Sequence, residues 1–152
     1  MAFASIMNIV GSGLTAEQLR LDVISENITN MNTTRTENGG GAYRRKVVRF
    51  EAETDRNGFR QALAQAMNAS NRGAEKAGGV RVTDILEDPT EMPVTYDPTH
   101  PDADENGYVE MPNVTLVKEI ADAMAATQAY SANVTAFNTL KTVLQRGLEI
   151  GR

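Results

Sequence analysis

Both ends of this chain are long proline-free apolar stripes, and the residues between them follow a different rule. Phe3, Met7, Val10, Leu14, Glu17, Leu21, Ile24, Ile28 and Met31 alternate steps of four and three, the seam of a helix made to lie against another helix. Only Glu17 breaks the apolar series. A second helical segment is expected from about Val114 to Ile150, and all five prolines (Pro89, Pro93, Pro98, Pro101, Pro112) lie outside both stretches. Helices at the two termini, with turn-rich material between them, either pair with each other or are given to a partner. Assembly is indicated before chemistry.

At 152 residues the chain is one domain's worth. It has no Trp and only four Phe and four Tyr, so much of its apolar content is small. Small side chains pack helices closely but bury less area each, and the isolated monomer is expected to be marginal. The net charge of −5 is uneven: Asp84 to Glu110 holds nine carboxylates and no Lys or Arg, while Arg44, Arg45, Lys46 and Arg49 crowd one short segment. Four cations in an acidic protein read as a solvated strand face, not a nucleic-acid site. Zero cysteines exclude disulfides and thiolate metal sites, which suits the cytosol or a protein that crosses into an oxidising space. The first cation is Arg20 and Asn8 interrupts the apolar start, so no secretory signal is read there. No apolar run is long enough for membrane insertion.

Local signals divide the chain further. Thr15 and Gln18 have capping-box spacing, and Gly11 and Gly13 just before them weaken a helix, so an internal helix start is expected, with residues 3–13 frayed unless packed. The first helix should run out in the Asn/Thr-rich stretch Asn27–Thr36, followed by a flexible corner at Gly39–Gly41. Tyr43–Glu53 reads as a strand, Phe59–Met67 as a short helix, Asn68–Gly79 as a loop and Val80–Leu86 as a second strand. Two short strands are expected near Val94–Tyr96 and Tyr108–Met111, flanking an Asp/Pro turn. Asn113 is placed to cap the last helix, whose apolar face begins with Val117, Ile120 and Met124 and then drifts to Tyr130 and beyond. That drift widens the stripe and predicts contact with more than one neighbour. The fold class is α+β: an N-terminal assembly helix in 1–36, a β-rich middle unit in 37–112 and a C-terminal assembly helix in 113–152.

Catalytic and metal chemistry find little support. His100 is the only histidine and sits between prolines in an acidic turn. Asp102, Asp104, Asn106 and Gly107 match the opening of a calcium-binding EF-hand loop, but its twelfth position is Asn113 where a bidentate Glu is needed, and no helix can precede it. These residues are read as turn-formers. Neither glycine cluster has the surroundings of a phosphate-binding loop, and the five Asn-x-Ser/Thr triplets, including those at Asn27 and Asn113, are read as composition. No enzyme, no cofactor and no metal site is expected.

The segment Ser12-Gly-Leu-Thr-Ala-Glu-Gln-Leu-Arg-Leu-Asp-Val-Ile-Ser-Glu-Asn-Ile-Thr-Asn-Met-Asn-Thr-Thr resembles the N-terminal signature of the flagellar rod, hook and hook-associated axial proteins. Ala129-Tyr-Ser-Ala-Asn-Val-Thr-Ala-Phe-Asn-Thr-Leu-Lys resembles their C-terminal one. Gly41-Ala-Tyr-Arg-Arg-Lys-Val-Val, the stretch from Tyr96 to Val109 and the terminal Leu148-Glu-Ile-Gly-Arg narrow the likeness to proximal rod members. Glu26 and Met31 depart from the Asn and Ala usual there. The resemblance implies a non-enzymatic building block of the periplasmic rod, exported through the flagellar type III apparatus without signal cleavage. Implied partners are copies of itself, other proximal and distal rod proteins and the rod-base adaptor. It implies terminal helices that pair as a coiled coil and order on assembly, with Leu14, Leu21, Ile24, Ile28, Tyr130, Val134, Phe137, Leu140, Leu144 and Leu148 as the assembly interface. Two other readings remain at this point: a soluble calcium- or peptide-binding adaptor with a closed helical bundle, and a distal rod or hook member, against which the short chain argues.

Overall fold

The computed structural model describes residues 2–37, 41–54 and 77–150. Helix α1 spans Ala2–Thr29, 28 residues and so about 42 Å. It is continuous through the expected internal start. Thr15 does not cap; its hydroxyl donates to the carbonyl of Gly11 at 3.1 Å, and that of Ser12 to Ile9 at 2.8 Å. Such back-bonds keep polar side chains within the helical pattern. Helix α2 spans Leu116–Ile150, 35 residues or about 52 Å, and starts two residues later than expected. Asn113 is not its cap, because that side chain is engaged elsewhere. The first turn closes instead through the Glu119 amide on the Thr115 carbonyl at 3.1 Å.

The helices pair antiparallel. Asn27 meets Glu119, and a Cβ added to Gly13 would stand 3.1 Å from Nδ2 of Asn133. Fourteen residues separate the two positions on each helix, two whole heptads, so the pairing keeps coiled-coil phase. Gly13, Arg20 and Asn27, spaced by seven, are among the residues of α1 that approach α2; Arg20 comes within 4.0 Å of Asp122. The series expected from the sequence, Leu14, Leu21 and Ile28, lies one residue on, about 100° around the helix. Ile24 of the same expected seam is four residues on from Arg20 and three before Asn27, so it shares their face of the helix, and it is buried.

Strand β1 (Lys46–Thr54) pairs antiparallel with β2 (Ala77–Glu87), Lys46 opposite Glu87 and Val48 opposite Ile85, with irregularities after Arg49 and Ala52. β1 begins later than expected because Tyr43 to Arg45 are spent on other contacts. β2 begins earlier, at Ala77, so Ala77–Gly79 are strand and not loop. The expected helix Phe59–Met67 lies outside the described residues, as do Gly39 and Gly40. The sheet packs on α1. Gly79 marks the contact: its φ is +97°, and a Cβ there would be 2.3 Å from Ser12 Oγ, which accepts the Val80 amide at 3.0 Å.

Strands β3 (Val94–Tyr96) and β4 (Tyr108–Glu110) form a separate antiparallel hairpin. Val109 turns inward at 2 % exposure, while Tyr96 and Tyr108 meet edge-to-face outside, centroids 5.2 Å apart. The hairpin rests on the chain leaving α1, where Thr34 donates to Asp102 at 2.8 Å and Arg35 pairs with it at 3.1 Å.

Candidate functional site

The buried interior holds a polar cluster of Asn27, Arg45 and Glu119. Among the described residues the largest fully enclosed side chains are Glu119 and Asn27, at 0 % and 1 % exposure. Asn27 ends the α2-facing series of α1, where a large apolar group would hold the backbones apart. Its Oδ1 accepts from the Tyr43 hydroxyl and the Lys46 amide, both at 2.9 Å. Its Nδ2 donates to the Lys46 carbonyl at 2.9 Å and to Glu119 Oε2 at 3.0 Å. One amide thus joins both helices to the first residue of β1, with every bond it can make engaged.

Glu119 lies in the first turn of α2, where the helix dipole favours a carboxylate. Its second oxygen accepts Nε–H of Arg45 at 2.6 Å. Arg45 also reaches Asp122 at 2.9 Å and Asp88 at 3.5 Å, so one guanidinium is shared by three carboxylates. Burial works against its charge, but the bond to Glu119 and the fields of Glu119, Asp122 and Asp88 outweigh it and hold the group above its ordinary value. Asp88 is held below its ordinary value first by the Thr90 hydroxyl and then by the Thr90 amide, with Lys118 and Arg45 adding to both. The Tyr43 hydroxyl is pushed up to about 12 by burial, and by the charges of Glu26, Glu119 and Glu87.

Asn113 completes the junction. It accepts the Arg45 amide at 2.7 Å and donates to the carbonyls of Asp88 and Thr90 at 3.2 and 3.1 Å, tying the strand β1 approach to the loop after β2. The expected solvated face of cations is therefore divided: Arg45 is buried, Lys46 pairs with Glu26, and Arg49 pairs with Asp84. Asn27, Tyr43, Arg45, Asn113 and Glu119 were not singled out from the sequence as a unit. The available signal was a lone Glu among Val117, Ile120 and Met124, together with an Asn just off an apolar seam.

Of the ten residues expected at the assembly interface, only Ile24 is buried within the chain. Leu14, Leu21, Ile28, Tyr130, Val134, Phe137 and Leu140 are half-buried, and Leu144 and Leu148 are exposed. At the start of α2 the apolar residues Val117, Ile120 and Met124 point outward, at 76 %, 47 % and 69 % exposure, while Glu119 and Ala126 face in. From Lys141 to Glu149 every residue is exposed. The molecule thus carries long apolar flanks that its own fold leaves uncovered.

The residues of the acidic turn bond within it. His100 Nδ1 accepts the Asp102 amide at 3.1 Å, and Asp104 accepts the amides of Asn106 and Tyr108 at 2.9 and 2.8 Å, so these residues serve the turn. Among the described residues no helix is long and apolar enough to cross a membrane.

A polar-locked junction carrying two paired terminal helices with uncovered apolar flanks defines a structural protein built for packing. Residues 7–35 match the family described as "Flagella basal body rod protein", and residues 105–150 match "Flagellar basal body rod FlgEFG protein C-terminal". Over 155 residues the chain is 41 % identical to flagellar basal-body rod protein FlgC of Bacillus subtilis, covering 99 % of each. It is 39 % identical to FlgC of Borreliella burgdorferi over 154 residues, covering 99 % of this chain and 98 % of that one. To FlgC of Escherichia coli O157:H7 it is 36 % identical over 152 residues, the full length of both. The chain belongs to the FlgC family of flagellar basal-body rod proteins, structural components of the bacterial flagellum.

Proposed function

We propose that the protein is a non-enzymatic subunit of the proximal rod, which polymerises through its terminal helices into the shaft that transmits torque. The observation that carries this reading is the uncovered apolar length of α2, above all Leu144 and Leu148 at 39 % and 68 % exposure. An isolated helix gains little from such a stripe; burial against neighbours supplies its stability. Partners follow from the same reading: copies of itself, other proximal and distal rod proteins and the rod-base adaptor, delivered by the type III export apparatus to the periplasmic part of the basal body. The absence of cysteine suits that compartment. The half-buried residues Leu14, Leu21, Ile28, Tyr130, Val134, Phe137 and Leu140, with exposed Leu144 and Leu148, are the proposed contact surface; Ile24 supports it from within.

Leu148→Asp tests this directly, because the side chain is exposed in the free chain and its replacement should leave the monomer folded. The variant should fail to enter basal bodies and should not support swimming, since its charge would be buried unpaired in the assembly. Normal swimming with Leu148→Asp as the only copy would overturn the reading. Asp102 and Asp104 are engaged by Thr34, Arg35 and turn amides, which supports the rod reading over a calcium-binding adaptor.

A further inference from the structure

A cavity of about 300 Å³ opens where α1, the start of β1 and the first turns of α2 converge. Its apolar wall includes Ile24, Val47 and Phe50, and its rim carries Arg20, Lys46 and Lys118. Asp122 is the only carboxylate in the lining and is already shared with Arg45. Among the described residues Arg20 has distant partners, Glu17 at 3.7 Å and Asp122 at 4.0 Å. Lys46 is paired with Glu26 and Arg45 with its three carboxylates, so the positive edge of this partly apolar notch is carried by Arg20 and Lys118.

The β3–β4 hairpin has the opposite character. Val94, Tyr96 and Tyr108 lie on one face, exposed at 59 %, 64 % and 48 %, within a stretch of nine carboxylates and no cations. Among the described strands and helices, β3 and β4 contact only each other, so the hairpin does not fill the notch of its own chain.

Resting on the assembly reading above, we propose that the notch receives the β3–β4 hairpin of a second copy. The tyrosines enter against Val47 and Phe50, where Arg20 and Lys118 meet their rings and the flanking carboxylates. Knob and notch are different surfaces of one chain, so the contact is head-to-tail. Repeated without closing, it generates a helical array of copies.

The chain has no native cysteine, so introduced thiols are unique. Full-length Val47→Cys and Tyr96→Cys proteins, both changed at exposed positions, are mixed in concentrated solution and treated with a short bismaleimide. The expected result is a covalent dimer formed about tenfold faster than between Val47→Cys and Ser131→Cys, with Lys118→Glu removing about that advantage. A yield no greater than the Ser131 control would overturn the proposal, and so would Tyr96→Cys coupling to itself as readily as to Val47→Cys. Cross-linking reads the contact whether or not a rod forms. Incorporation of the same variants into basal bodies is scored separately, so a failed notch with normal incorporation leaves the rod reading standing.

Discussion

Arg45 donates to Glu119 at 2.6 Å across 74 residues of sequence, joining the approach to β1 to the start of α2 through two buried side chains. Without Arg45, Glu119 is a fully buried charge, whereas without Glu119 the guanidinium still meets Asp122 and Asp88. Arg45→Ala should lower the unfolding free energy by about 3–5 kcal/mol in urea titration, and Glu119→Ala by less. Arg45→Lys should recover little of it, because one ammonium cannot reproduce the fork that serves Glu119, Asp122 and Asp88. Joint replacement of both residues by leucine should cost less than the two alanine variants added together. Additive losses would show that the pair does not act as a unit.

Tyr43 predicts an alkaline transition. Unfolded tyrosine titrates near 10, whereas this hydroxyl is raised to about 12 because it is buried and faces Glu26, Glu119 and Glu87. Between those values the unfolded chain has released the proton and the folded chain still holds it. The contribution to stability is thus whole below about pH 10 and is lost as pH rises through 12, in all about 3 kcal/mol. Unfolding free energies from urea titration at pH 9 and pH 12 should differ by most of this amount beyond any general drift. Tyr43→Phe should be less stable at pH 9, having lost the bond to Asn27, but should show a flatter dependence on pH.

Gly79 and Gly13 hold two close approaches. At Gly79 both the φ of +97° and the Ser12 oxygen 2.3 Å from a Cβ oppose any side chain, and Gly79→Ala should cost at least about 1–3 kcal/mol. At Gly13 the obstacle is the flexible amide of Asn133, so Gly13→Ala should be mild and Gly13→Leu should part the helices. Thermal melts of the three variants should rank them in that way, and a neutral Gly79→Ala would contradict the packing of β2 on α1.

Exchange of backbone amides should be graded along the helical pair. Protection should be highest around Asn27 and Glu119, where the junction clamps both helices, and should fall toward Lys141–Glu149, where every side chain is exposed. Assembly should slow exchange most at that exposed end. Uniform protection along α2 in the free chain would show that its apolar flank is not awaiting a neighbour.

Periodicity made the helices legible, and turn chemistry located β3 and β4 to within a residue. The polar and small members of the helix contact were not legible. Gly13, Arg20 and Asn27 approach α2, and no apolar period marks them. The internal helix start failed because Thr15 serves equally as a cap or as a donor to Gly11, and only packing of the preceding turns decides. The junction was invisible for lack of any local spacing. Asn27 and Glu119 lie 92 residues apart, Arg45 stands in a run of cations that reads as solvent-facing, and Asn113 looks like an ordinary cap.

The junction has a mechanical consequence. Covalently, the helices and the β strands are joined only by connecting segments, which under a sideways load would act as hinges. Asn27, Arg45 and Asn113 brace those segments with short directional bonds that stretch little before they break. A tangential force on β1 and β2 is therefore delivered to the helical pair as shear across a stiff joint, with little angular lag. Softening the joint by a single deletion at Asn113 would leave the subunit shaped as before but would let its two parts twist independently under load.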